Sequence, residues 1–420
     1  MKLRVLLAAA ALAVLAAPAA HAATLPPGNA AQQWEKIAED TAVGAGAFQG
    51  EAFVYLAYVT AAMDRAVSPG ERRGQSPDAA VAEAAYDVLV HYFPAKAADL
   101  AALRDLALAA VPDGAAKRNG VMYGDLAATM ILRERAGDGL TTPIATTSPF
   151  PTLPFGAGVW RLTPPAFAAP QTPWMATMRP LILDRADRFV TPPPPSLQST
   201  QWVDAFNQVK LLGQNTSAAR TPEQTAIAVF WSANVNRQYD GAARNLATML
   251  GLDVPETARL LAMVNEVAAD AMIAMMNAKY RYLFLRPVTA IDPTSVTNDG
   301  FGPAPGLDDG NPLTVEQPGW RPLLPTPNHP EYPSAHATIT SAMAEVFSRF
   351  LGTNAIDLDL QGTPTFAVTR HFATADDLRM EAMNARIWAG LHYRFSVQAG
   401  SALGRQVAEY DLDHAFSSGG

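Results

Sequence analysis

Apolar residues recur at i, i+3 and i+4 along most of the chain, the spacing of amphipathic helices. In the first third this pattern covers residues 30–66, 78–92, 95–108 and 114–135. Pro94 and the turn Pro112-Asp113-Gly114 separate the later segments, and Gly44, Gly46 and Gly50 mark points of close packing within the first. Helical spacing resumes at Gln201. One helix starts at Thr221 with Pro222 in its first position, and others cover 241–250 and 256–282. Ser334 opens a helix to about residue 351. Thr374-Ala375-Asp376-Asp377 reads as a capping box before a helix reaching His392, and 395–415 is the last. The predicted fold class is all-α.

Between these helical parts the texture changes. Residues 141–200 hold 13 of the 34 prolines, four of them consecutive from Pro192, and helices do not run through that density. A flexible linker rarely carries so many large apolar groups as Trp160, Phe167, Trp174, Leu181, Leu183 and Phe189. The stretch reads as an ordered strap lying across helices. Residues 292–333 form a second long loop. The expected organisation is a signal peptide over 1–22, a helical bundle over 23–140, the strap over 141–200 and a second bundle over 201–420.

The signal peptide rests on Lys2 and Arg4, an apolar run over 5–17 and the cleavage pattern Ala20-His21-Ala22. It predicts export to a periplasm or medium, with no membrane span in the mature chain, because no later run approaches the length a span needs. The chain has no Cys, so disulfides play no part. A formal net charge of −8 and the lack of a basic block exclude nucleic acid and anionic membrane surfaces as partners.

Three pieces of sequence carry candidate chemistry. The first is KYRYLFLRP, in which Lys279 and Arg286 stand seven apart, about two helical turns. Pro287 biases Arg286 out of helical geometry, so the helix should end there. No acid lies three or four residues from either cation. The second is PEYPSAHATIT from Pro330. Ser334 is a candidate N-cap, and the helix start it opens is also a candidate oxyanion site, with His336 one turn in. The third is RIWAGLH, with Arg386 and His392 six apart on one predicted helix, hence about 120° apart. A salt bridge from Arg386 to Glu381 or Asp377 is the plain structural alternative.

In order and spacing, K-x6-R-P, P-S-x-H and R-x5-H resemble the type-2 phosphatidic acid phosphatase superfamily, which includes bacterial class A acid phosphatases and vanadium-dependent haloperoxidases. RPVTAI from Arg286, WRPLLPTPNHPEYPSAH from Trp320, RTPEQTAIAVFW from Arg220 and the Pro-rich strap look like bacterial haloperoxidases. The resemblance covers most of the chain from about Gly156. It implies vanadate as cofactor, with phosphate able to take the same site, and hydrogen peroxide, halide and a small organic acceptor as partners. Lys279, Arg286 and Arg386 would neutralise the equatorial oxygens, with Ser334 and the Ala335 amide hydrogen-bonded to them. His392 would be the axial vanadium ligand, and His336 the acid/base that protonates peroxide.

The chain departs from the pattern in places. Ala335 replaces the usual Gly, and Ala385 replaces the Ser common before the third-motif Arg. Ser396 stands where phosphatases have an Asp that orients the last His, which weakens a phosphatase reading. His329 is read as a loop histidine, as half of a metal pair with His336, or as a halide-tuning residue. On the last reading, algal bromide-oxidising relatives have His there and fungal chloride-oxidising ones have Phe, which favours bromide or iodide. The rivals are an acid phosphatase working through phosphohistidine, and a non-catalytic phosphate- or vanadate-binding helical protein.

Overall fold

The computed structural model describes residues 23–68, 74–142, 156–296, 308–363 and 365–417, so the expected signal peptide lies outside the described residues. Thirteen α-helices dominate these residues. The first five are α1 (Ala30–Gly44), α2 (Gln49–Val67), α3 (Pro77–Tyr92), α4 (Ala97–Ala109) and α5 (Ala115–Glu134). After the strap come α6 (Thr200–Leu212), α7 (Pro222–Phe230), α8 (Val235–Leu250), α9 (Val254–Tyr282) and the short α10 (Pro287–Ile291). The last three are α11 (Ala335–Leu351), α12 (Ala375–Trp388) and α13 (Arg394–Ala415). The all-α expectation holds apart from one antiparallel hairpin, β1 (Ala355–Gln361) with β2 (Thr369–Thr374).

Local chemistry starts the helices where backbone N–H groups need partners. Asn29, Thr221 and Asp253 each close a capping box with a Gln or Glu three residues on. The expected helix over 30–66 is two helices, broken where Gly46 turns at a φ of 83°. Gly50, by contrast, is a close-packing point: a Cβ there would lie 2.3 Å from the Met272 methyl on α9.

α9 is the axis of the molecule. It is long and apolar enough by composition to cross a membrane, but 89% of that window is buried inside the protein. α2 and α3 pack on one side of it and α11 and α13 on another, so Trp34, Phe53, Val264, Phe347 and Val407 belong to one continuous core. α11 and α13 pack closely because Gly400 and Gly404 face the α11 backbone. A Cβ at Gly400 would come within 2.5 Å of the Ser334 carbonyl.

The strap is ordered over 156–199, with Trp160, Met175, Met178 and Leu183 buried. Buried Asp270 of α9 anchors it by accepting from the N–H groups of Leu181 at 2.6 Å, Ile182 at 2.8 Å and Leu183 at 2.7 Å. Farther back, Trp160 N–H donates to the Leu283 carbonyl at 2.7 Å, and Leu285 N–H donates to the Gly158 carbonyl at 3.0 Å. The strap therefore clamps the segment that carries Arg286.

Candidate active site

Three irregular segments converge beside the N-terminus of α11. α9 stops at Tyr282, and Leu283 adopts a left-handed φ of 50°. Arg286 thus lies beyond the helix, as the extended residue before α10, rather than at the end of α9 as the spacing predicted. Likewise α12 ends at Trp388, and the chain turns at Gly390 with a φ of 78°. His392 is placed by that turn and not by the helix that carries Arg386, which corrects the expected 120° arrangement. Of the five residues expected to converge, Lys279, Arg286 and His392 meet around the 329–331 segment, Arg386 lines one cavity with His392, and Ser334 makes no side-chain hydrogen bond. All five are buried.

Lys279 Nζ donates to the carbonyls of Pro330 and Glu331, both at 2.8 Å. Arg286 donates to the carbonyls of His329 and Leu391 at 3.0 Å each. Its guanidinium also meets His329 Nδ1 at 3.0 Å and His392 Nε2 at 3.3 Å. Arg386 donates to the Trp231 carbonyl at 2.9 Å, leaving its Nε without a partner. Glu381 instead holds Arg370 and the Trp231 indole, and Asp377 caps α12 with Thr374, so Arg386 has no salt bridge to either.

Ser334 sits at the N-cap of α11 but makes no side-chain cap bond, and its buried hydroxyl has no partner. A buried hydroxyl costs free energy unless something pairs with it. The plain N-cap reading therefore fails, and the hydroxyl is available to a ligand. Ala335 is the first residue of α11, so its φ is negative and the replacement of Gly leaves its N–H in place.

Sequence reasoning missed Glu331. Its buried carboxylate lies 2.7 Å from His392 Nδ1 and accepts from the Tyr393 N–H at 3.1 Å. Arg has only donors, so His392 Nε2 must accept from Arg286, and Nδ1–H must donate to Glu331. In this tautomer the Nε2 lone pair points to the Arg286 side, with a carboxylate fixing the ring from behind. Burial raises the Glu331 carboxyl to about 7, against the lowering pull of Lys279, Arg286 and the Ser396 hydroxyl. The carboxylate that Ser396 lacks is thus supplied from upstream. The only signal was an acid within PEYPSAH itself.

His336 is half-buried and held by a hydrogen bond to the Trp231 carbonyl, while its Nε2 has no partner. Burial first, and then the neighbouring cations, hold His329, His336 and His392 well below the ordinary histidine range. Burial also pushes Arg286 down to about 10 and Arg386 to about 9, so both remain charged at neutral pH. Among the described residues, three basic side chains thus face one carboxylate. Beside them is a cavity of about 80 Å³, lined by Phe48, Gln49, Val235, Met272 and Ile339 together with His329, His336, Arg386 and His392. His329 pairs with Arg286 through Nδ1. Behind the site lies an aromatic layer that includes Trp202, Phe284, Tyr332, Tyr393 and Phe395. His371 is exposed on β2 and paired with Asp359, and His414 stacks on Tyr410, both far from this chemistry in role.

These groups form a buried, base-rich pocket in a helical fold, with His392 held between Arg286 and Glu331. Residues 259–418 match the VCPO second helical-bundle domain. The chain is 26% identical to a vanadium chloroperoxidase of Curvularia inaequalis over an alignment of 239 positions, which takes in 44% of this chain and 38% of that one. It therefore spans well under half of that relative. A bacterial vanadium-dependent iodoperoxidase superposes with a TM-score of 0.74 at 21% identity, covering 93% of this chain and 98% of the other. A holo-type bacterial vanadium-dependent chloroperoxidase gives 0.67 at 18% identity, covering 93% and 99%. Residues 259–418 therefore resemble the second helical bundle of vanadium chloroperoxidases, and the described residues share the fold of the two bacterial haloperoxidases.

Proposed function

We propose that this protein is a vanadate-dependent enzyme that uses hydrogen peroxide to oxidise halide, with bromide or iodide favoured over chloride. One observation carries the reading. Ser334 Oγ, Arg386 Nε and His336 Nε2 are buried and unpartnered around a site with excess positive charge. Such a site fits an oxyanion. Lys279, Arg286, Arg386, Ser334 and the Ala335 N–H would hold its oxygens, and His392 Nε2 would be the protein ligand to vanadium. Bound vanadate supplies a Lewis acid that polarises peroxide toward halide.

The protein's own groups supply the rest. Glu331 keeps His392 in the ligating tautomer. The aromatic layer excludes water and strengthens every charge in the pocket. The hydrogen bond to Trp231 leaves His336 Nε2 as the unprotonated nitrogen. Its first act is to take a proton from entering peroxide, which it can then return. His329, with Nδ1 committed to Arg286, presents an imidazole rather than a hydrocarbon ring on the cavity wall, which supports the halide preference. The organic acceptor must be small or react outside, since drug-sized ligands occupy several hundred Å³. We infer export from the residue pattern over 1–22.

A second reading is a phosphatase with His392 as nucleophile, and Glu331 favours it by restoring the orienting carboxylate. Both are tested by adding orthovanadate to the purified protein and measuring peroxide-dependent halogenation with iodide, bromide and chloride beside phosphate ester hydrolysis. The expected result is bromide and iodide turnover with chloride much slower. Equal chloride and bromide turnover refutes the role of His329. Ester hydrolysis with no halide turnover establishes the phosphatase.

A further inference from the structure

Among the described residues that wall the active-site cavity, only Met272 carries sulfur. The chain contains no Cys and 14 Met, so thioethers are its most readily oxidised side chains. Met272 belongs to α9 and is 3% exposed. Gly50 of α2 packs against its methyl, since a Cβ there would come within 2.3 Å of Met272 Cε. Met272 is therefore closed off from bulk solvent but shares a cavity of about 80 Å³ with His336, His392 and Arg386. By contrast Met122, Met130, Met249 and Met380 are 53%, 41%, 67% and 60% exposed, and none of them lines the cavity.

We propose that Met272 is a self-modification site, converted to its sulfoxide by the enzyme's own oxidised halogen during turnover. This inference rests on the haloperoxidase reading, which supplies the oxidant as hypohalous acid. The thioether sulfur attacks the halogen and hydroxide leaves. Water then displaces halide from the halosulfonium sulfur. Sulfur loses two electrons, the halogen gains them, and the net products are sulfoxide, halide and one proton. The change places a polar, larger group in the wall of the cavity that Met272 shares with His336 and His392. Turnover therefore acts as a brake on itself.

The experiment compares two ways of delivering one oxidant to the vanadate-loaded protein. In the first, peroxide and bromide are supplied and the enzyme makes the oxidant inside. In the second, reagent hypobromite is added from outside. Bromination of a dye is followed in the first sample, and tandem mass spectrometry locates added oxygen on each Met in both. Enzyme-made oxidant modifies Met272 several-fold ahead of Met249 and Met380, and reagent hypobromite reverses that order. Peroxide without bromide leaves Met272 unmodified. Met272→Leu, which conserves volume, is expected to lose activity more slowly per turnover than the parent. Dye bromination with Met272 unmodified, or modified only after the exposed methionines, overturns the inference and leaves the haloperoxidase reading standing. No bromination at all overturns that reading, and this inference with it.

Discussion

Among the described residues, two of the clusters of buried charge are opposite in sign. The first joins α1 to α8. Glu35, Glu39 and Asp240 are all buried, and their ligand oxygens lie within 4.8 Å of one another. Arg244 pairs with Glu35 and, at 3.0 Å, with Glu39, and Arg237 reaches Glu39 at 2.9 Å. The second is the pocket of Lys279, Arg286 and Arg386 around Glu331. In the first, acid is in surplus, and a carboxyl can shed its charge by taking a proton. Burial, opposed by Arg244, raises Glu35 to about 7, and burial with its acidic neighbours raises Asp240 well above the usual range. In the second, base is in surplus: burial and then Arg286 hold Lys279 well below its ordinary range, so it too can shed its charge, but the two arginines keep theirs at neutral pH. Only an anion from outside can balance it. The first cluster therefore completes itself and ties the N-terminal helices to the rest. The second is complete only with a ligand.

The comparison predicts opposite consequences for removing a guanidinium from each cluster. Arg286→Met should weaken orthovanadate or phosphate binding, read by calorimetry, by about a hundredfold or more, because a preorganised charge donor is lost. The apo-protein should lose little stability, since like-charge repulsion falls at the same time. Arg244→Met should do the reverse. It should cost about 3–5 kcal/mol in denaturant unfolding, because it leaves buried acids without their cation, while anion affinity stays within the error of the measurement. Its instability should also deepen as pH rises. A carboxyl whose folded pKa lies above its unfolded value destabilises the fold increasingly from about its unfolded pKa upward; this window ends at about 7 for Glu35 in the parent and extends higher once the lowering pull of Arg244 is gone.

Glu331→Gln sharpens the comparison within the pocket. Loss of a carboxylate behind a ligating histidine is expected to cost about 10–100-fold in vanadate affinity. The carboxyl sits near 7, so the parent's affinity should change through neutral pH as Glu331 ionises. The variant's profile should be flat there. If the inflection stays, Glu331 is not its source.

Ser334→Ala is the smallest change and the most specific. The hydroxyl caps nothing. Thermal stability should therefore hold, while anion binding falls by about 0.5–1.5 kcal/mol, one hydrogen bond's worth. Thr374→Ala serves as the contrast, because Thr374 does cap α12 by accepting from the Asp377 N–H at 3.1 Å. It should lose about 1 kcal/mol of stability with anion affinity intact.

Much of this was present in the chain alone. Helical spacing, caps and proline breaks are local properties, and they located most helices to within a few residues. The strap's large apolar groups foretold its burial. The three motifs named Lys279, Arg286, Ser334, His336, Arg386 and His392 because each needs a particular side-chain chemistry that its residue type already announces. What sequence spacing could not supply was direction. Leu283 and Gly390 take left-handed turns, and these carry Arg286 and His392 off the helices on which a 3.6-residue period would place them. Two relations depended on bringing distant segments together. Glu331 meets His392 across 61 residues, and Met272 reaches the histidines from the middle of α9. Neither is encoded at any fixed offset, because a hydrogen bond or a shared cavity depends on distance in space. Only the packed helices determine that distance.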